Sequence, residues 1–207
     1  MTIAVLALRG SSAPLLAASR WLPAIGLIGG LAAIVGGRWW ATTNGLDPLA
    51  VGTAFGVALG GLAVIGSRRL GAPTPWALAI GSVAGLALVG VMLAGAAIAG
   101  AMLVPGLGRP AAPFLPWALI TILVASTEEA LLRGRLFDAI RRLGGLPAAI
   151  LLTTIAFALM HVPLYGWHVV PLDLAVGLGF AGLRLATRGV AAPAAAHAVA
   201  DLATWWL

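Results

Sequence analysis

The sequence predicts an all-α fold: a polytopic transmembrane helix bundle with about seven membrane-spanning helices. Three observations carry that expectation. First, 61% of the 207 residues are hydrophobic and only 9% are charged, whereas a soluble domain is roughly half apolar and a quarter charged. A chain this apolar cannot cover itself with polar surface, so lipid has to be its solvent. Second, the apolar residues fall into runs close to the ~20 residues one helix needs to cross a hydrocarbon core. Third, glycine is abundant, at 28 residues, and small residues let membrane helices approach closely.

The spans follow in order. They are Trp21–Gly37, Leu49–Gly66, Trp76–Leu103, Phe114–Ile140, Pro147–Val162, Val169–Ala186 and Val190–Trp206. The third is long enough to tilt or break. The fourth starts apolar and ends charged, so its second half must be shielded by neighbours or leave the membrane. The fifth and seventh are short. Glycine pairs at packing spacing are Gly26/Gly30, Gly56/Gly60 and Gly81/Gly85. Trp39, Trp40, Trp167, Trp205 and Trp206 fall at span ends, where interfacial anchors belong.

The charge of +6 is carried by arginine alone, as the chain has no lysine. Nine arginines (Arg9, Arg20, Arg68, Arg69, Arg135, Arg141, Arg142, Arg184 and Arg188) lie in alternate loops, and only Arg38 and Arg109 in the opposite ones. That asymmetry predicts a multi-pass cell-membrane protein with a cytoplasmic N-terminus and an outer C-terminus. It also explains the high pI without nucleic acid. The segment from Met1 to Arg20 has a short apolar core and no clear cleavage site, and is not read as a cleaved signal peptide. Without cysteine there are no disulfides or thiolate metal sites. No glycine-rich pattern suggests a nucleotide or redox cofactor. Residues 1–207 read as a single integral membrane domain, with N-terminal helices over 1–113.

Ionisable side chains inside spans are costly and face the bundle interior. Here they are Glu128, Glu129 and Arg133 on the fourth span, His161 on the fifth, Asp173 on the sixth, and His197 and Asp201 on the seventh. Glu129 and Arg133 are four apart and share a helix face, as an ion pair does. Glu128 is turned by about 100° from Glu129, so one carboxylate can meet the arginine while the other points into a cavity. Phe157 and His161, and His197 and Asp201, are also four apart. At 1.5 Å per residue Glu128 lies about 20 Å up its helix and His161 about 21 Å up the next, while His197 is only about 10 Å from Val190. The seventh helix therefore starts earlier or is shifted. His168, beside Tyr165 and Trp167, reads as interfacial, and Asp173 as a local pairing or cap.

A glutamate and two imidazoles can activate water in two ways. They can bind a divalent metal, zinc being the natural fit, with Glu128, His161 and His197 as candidate ligands. Alternatively, a buried glutamate can act directly as general base. Either way the attacked carbonyl needs donors for its oxyanion.

Three segments resemble the CPBP family of CAAX proteases and bacteriocin-processing proteins, also called the Abi family. Glu128-Glu129-Ala-Leu-Leu-Arg133 resembles its EExxxR motif, Phe157-Ala-Leu-Met-His161 its FxxxH motif, and His197-Ala-Val-Ala-Asp201 its HxxxN motif. The resemblance spans about Trp117 to the C-terminus and marks 114–207 as a CPBP-like catalytic core. It implies an intramembrane endopeptidase, a metalloprotease or a metal-free glutamate enzyme. Glu128 and His161 would activate water, His197 and Asp201 would bind the carbonyl or oxyanion, and Glu129 and Arg133 would support the site. Asp201 departs from the usual asparagine: an ionised aspartate accepts but cannot donate, which suits a metal or the orienting of His197 better than an oxyanion hole. The composition resembles that of high-GC bacteria, so the expected substrate is a peptide or membrane-protein segment. The alternatives are a non-catalytic membrane partner or immunity protein, and a small proton- or metal-coupled transporter. No inverted repeat or broken-helix pair supports the transporter.

Overall fold

The computed structural model describes residues 20–65, 72–98 and 112–207. Among these residues every regular element is helical: α1 Leu22–Thr43, α2 Pro48–Val64, α3 Pro75–Ile98, α4 Phe114–Glu129, a π-helical turn Ala130–Leu136, α5 Phe137–Tyr165, a 3₁₀ turn Trp167–Val169, α6 Val170–Thr187 and α7 Ala191–Ala203. An all-α chain is what lipid demands, because a helix satisfies its backbone internally. Local signals fix several ends. The Asp47 side chain accepts from Ala50 N at 2.8 Å with proline at the first helical position, and Thr74 Oγ1 accepts from Ala77 N at 3.2 Å before α3; both cap orphan amides.

The helices turn apolar residues outward as well as inward. Val83, Leu86 and Ile98 are exposed, as lipid-facing residues must be, while the interior is reached by narrow stripes. On α2 the buried stripe is Val51, Phe55, Leu59 and Ala63, four apart along one face.

Each of the seven segments read from sequence contains a helix, but among the described residues four helical stretches are long and apolar enough to cross a membrane: Leu22–Thr43, Pro75–Gly95, Phe114–Tyr165 and Trp167–Thr187. The expected fourth and fifth spans form one 52-residue helical stretch. It is not straight. Arg133 and Phe157 would stand about 36 Å apart on a continuous helix, yet the guanidinium lies 4.6 Å from the phenyl centroid. The chain reverses between them, at Gly145, whose φ of +78° is open to glycine. The expected second span, Leu49–Gly66, is a shorter apolar helix, Pro48–Val64. Arg9, Arg68, Arg69 and Arg109, the end residue Gly66 and the last residues of the third segment lie outside the described residues.

Two glycine pairs pack as expected. A Cβ on Gly56 or Gly60 would meet Leu123 or Thr127 of α4, and one on Gly81 or Gly85 would run into the backbone of α7, at Ala192 O and Ala196 O respectively. Gly26, by contrast, has nothing within 4 Å. The close α3–α7 approach explains the depth of His197. α7 starts at Ala191 rather than earlier, and Ala192 and Pro193 are already buried, so the whole 13-residue helix is set inside the bundle. Trp205, at a span end as expected, is 8% exposed and packs on Phe114 and Trp117 at 5.2 and 4.9 Å, joining the end of α7 to the start of α4.

Gly81→Ala and Gly85→Ala should each cost about 1–3 kcal/mol, the usual range for overpacking, and Gly26→Ala should be neutral. Thermal unfolding of purified protein in detergent measures the difference; equal melting of all three variants would show that α3 and α7 are not in contact.

Candidate active site

The polar residues singled out in the sequence come together between α4, the π-helical turn, α5, α6 and α7. Glu128 and Glu129 end α4, and both are buried. The wide turn that follows carries Arg133 inward, where it is 0% exposed. Such π-turns cluster at functional sites. Arg133 Nη1 donates to Glu129 Oε1 at 2.9 Å and Nη2 to Gly177 O at 3.2 Å. Its guanidinium also lies over Phe157 and, at 5.5 Å, Phe180. A side chain on Gly177 would press on Arg133 and Thr154. From α6, Arg184 Nε donates to the Arg133 carbonyl at 2.9 Å. Arg184 and Arg135, which the charge pattern assigned to loops, therefore also tie helices together; Arg135 Nε donates to Ile65 O at 3.0 Å.

The second carboxylate is free of the arginine, as the rotation between adjacent positions requires. Glu128 Oε2 faces His197 Nε2 at 3.7 Å. His197, buried on α7, sets Nδ1 3.3 Å from Glu129 Oε1 and Nε2 3.4 Å from Asp201 Oδ2. Three carboxylates thus surround one imidazole. Both ring nitrogens face acceptors, so the ring donates to both sides only as imidazolium. Asp201 is half exposed and stands beside His197.

His161 completes the group from α5. Its ring stands edge-on to Phe157 at 4.8 Å, and His197 meets the same phenyl at 5.5 Å. Phe157 therefore spaces the two imidazoles. His161 Nδ1 lies 3.1 Å from Asp173 Oδ2, in contact but not aligned as a hydrogen bond. Asp173, read from sequence as a local pairing or cap, instead reaches across from the first turn of α6. Phe180 was not singled out at all, because an aromatic residue in an apolar helix carries no signal of its own. His168 is exposed, as an interfacial residue is.

Residues 110–203 match the family model described as type II CAAX prenyl endopeptidase Rce1-like. This is the family the three motifs resembled, and the Rce1-like segment holds every residue of the group. No curated protein and no solved structure matches the chain. The description is that of an endopeptidase, a hydrolase of peptide or protein substrates, and the apolar helices make this a membrane protein. For a metal, Glu128, His161 and His197 are donors of the right kind. As placed in the Rce1-like segment, however, both nitrogens of His197 and one of His161 face carboxylates, and no three His, Asp or Glu side chains among the described residues form a group that could hold an ion.

The buried pair allows a stability test. Arg133→Met strands the Glu129 charge and should destabilise by about 3–5 kcal/mol. Adding Glu129→Gln should restore part of that loss in a thermal melt. Additive losses in the double variant would mean that the two side chains do not depend on each other.

Proposed function

We propose that this protein is an intramembrane endopeptidase that hydrolyses peptide or membrane-protein substrates with a water activated by Glu128. The observation that carries the proposal is the buried Glu128 carboxylate facing His197 of another helix, 3.7 Å away. Glu128 takes a proton from water as the water oxygen attacks the scissile carbonyl carbon. His197 keeps its Nδ1 toward Glu129 and turns the Nε2–H that faces Asp201 to the oxyanion that forms. The tetrahedral intermediate collapses, the C–N bond breaks, and the proton held by Glu128 passes to the leaving amine. His161 orients the water with Glu128, and Asp173 holds the His161 ring. Glu129 and Arg133 do not touch substrate; they position the site. Asp201 serves as counter-charge to His197, which accounts for an acceptor where the motif has asparagine.

Glu128→Gln and His161→Ala should each lower the cleavage rate of the purified protein in detergent by about 10²–10⁴, the usual contribution of a positioned acid–base group, with the melting temperature retained. His197→Ala should lower it by about 10²–10³, as loss of an oxyanion donor does. Elemental analysis of the same preparations, made without chelators, should find far less than one metal ion per chain. Undiminished cleavage by Glu128→Gln would remove the catalytic assignment, and one bound metal that is lost with His161→Ala would replace the metal-free step.

A further inference from the structure

Four arginines among the described residues are buried or half-buried, and three of them are spoken for. Arg133 holds Glu129 and Gly177 O, Arg135 donates to Ile65 O, and Arg184 donates to Arg133 O and, at 3.3 Å, to Asp138. The fourth, Arg38 near the end of α1, makes neither a hydrogen bond nor an ion pair among the described residues. It rests only on a ring, with its guanidinium carbon 4.3 Å from the Phe55 centroid. The loop charge asymmetry does not account for it either, because Arg38 belongs to the arginine-poor set.

Arg38 lines a cavity of about 350 Å³ between α1 and α2, at the lower end of the size range for ligand sites. Its walls are apolar: Ile34, Leu46, Val51, Phe55 and Ala58. Its α2 wall packs, through Gly56 and Gly60, on Leu123 and Thr127 of α4, the helix that ends in Glu128 and Glu129, so the cavity lies one helix away from the proposed catalytic group. A guanidinium stacked on an aromatic face keeps its planar fork free, and that fork matches a carboxylate bidentately. Carboxylate and guanidinium each leave water at a cost, which the pairing offsets only when both are engaged.

We infer that this cavity is a substrate subsite, in which Arg38 takes a carboxylate of the peptide while the apolar walls take the side chain beside it. The inference rests on the endopeptidase reading for its substrate class, and it deepens that reading by naming a recognition residue outside the matched segment. The carboxylate has two possible sources, an acidic side chain and the chain terminus.

The test is binding, so that it does not depend on turnover. Full-length Glu128→Gln protein in detergent is mixed with three pools of apolar decapeptides: one with free C-termini and scattered Asp and Glu, one with the same sequences amidated at the C-terminus, and one with free C-termini and Asn and Gln instead. Retained peptides are quantified by mass spectrometry. The first pool should be held at least tenfold better than a pool lacking the carboxylate that Arg38 takes. Preference over the amidated pool alone identifies the chain terminus, and preference over the Asn/Gln pool alone identifies the side chain. Adding Arg38→Gln should abolish the preference, and Arg38→Lys should keep part of it. Equal retention of the three pools, or a preference that survives Arg38→Gln, overturns the subsite. Binding preference without cleavage by the unmodified protein would leave the subsite standing and remove the endopeptidase reading; cleavage without preference would do the reverse.

Discussion

The part of this bundle that carries the candidate site is organised around one buried cation. Arg133 is fully buried, so each acceptor it meets is fixed by the cost of leaving the charge unpaired. It draws Glu129 inward along its own helix, takes a carbonyl from α6, and is covered by Phe157 of α5 and Phe180 of α6. Four elements are thereby set relative to one atom group. Glu129 in turn passes the constraint on: the oxygen that meets Arg133 is also the one that meets His197, sixty-eight positions away. The ion pair thus places the imidazole and leaves Glu128 outside the arginine's reach. As a source of stability such a pair is poor, because desolvation offsets most of its attraction. Its effect here is on geometry.

The apolar packing has to deliver the partners to that cation. α7 reaches it because Gly81 and Gly85 let the helix lie directly against α3, so that a short element sits deep enough to bring His197 level with Glu128. α5 reaches it because Gly145 turns the chain back on itself. Neither device involves a polar group, yet substitution at either would move a histidine.

This division explains what the sequence reveals. The four-residue spacings of Glu129 to Arg133, Phe157 to His161 and His197 to Asp201 are properties of a single helix, and they translate directly into shared faces. The roles of Glu128 and Glu129 separate for the same reason. The glycine pairs at 56/60 and 81/85 were legible too, since close approach needs small residues. Relations between helices were not. Gly145 stands in a Gly-Gly-Leu-Pro stretch that marks a loop but does not show that two spans fold into one tight hairpin. Asp173 could not be matched to His161, because nothing in either helix specifies how the two rotate against each other. The rings of α4 that Trp205 meets cannot be read from its own helix, and Arg38 looks like a loop charge until the cavity beside it is seen.

The distribution of acids gives the strongest reason to regard the assembly as a site of chemistry. The chain has six acidic residues, and four of them, Glu128, Glu129, Asp173 and Asp201, are spent on two imidazoles and one arginine. A bundle that needed only to hold together would avoid this, because apolar contacts cost nothing to desolvate, and the group still leaves Glu129 Oε2, Arg133 Nε and Thr154 Oγ1 buried without a hydrogen-bond partner. That unmet polar capacity is a cost that packing alone would not incur. A proton relay would string such groups along a path across the bundle. Here they are gathered about one phenyl ring, which separates the two imidazoles while both remain close to it. That compact arrangement suits a reaction in which one group removes a proton as another receives the developing negative charge.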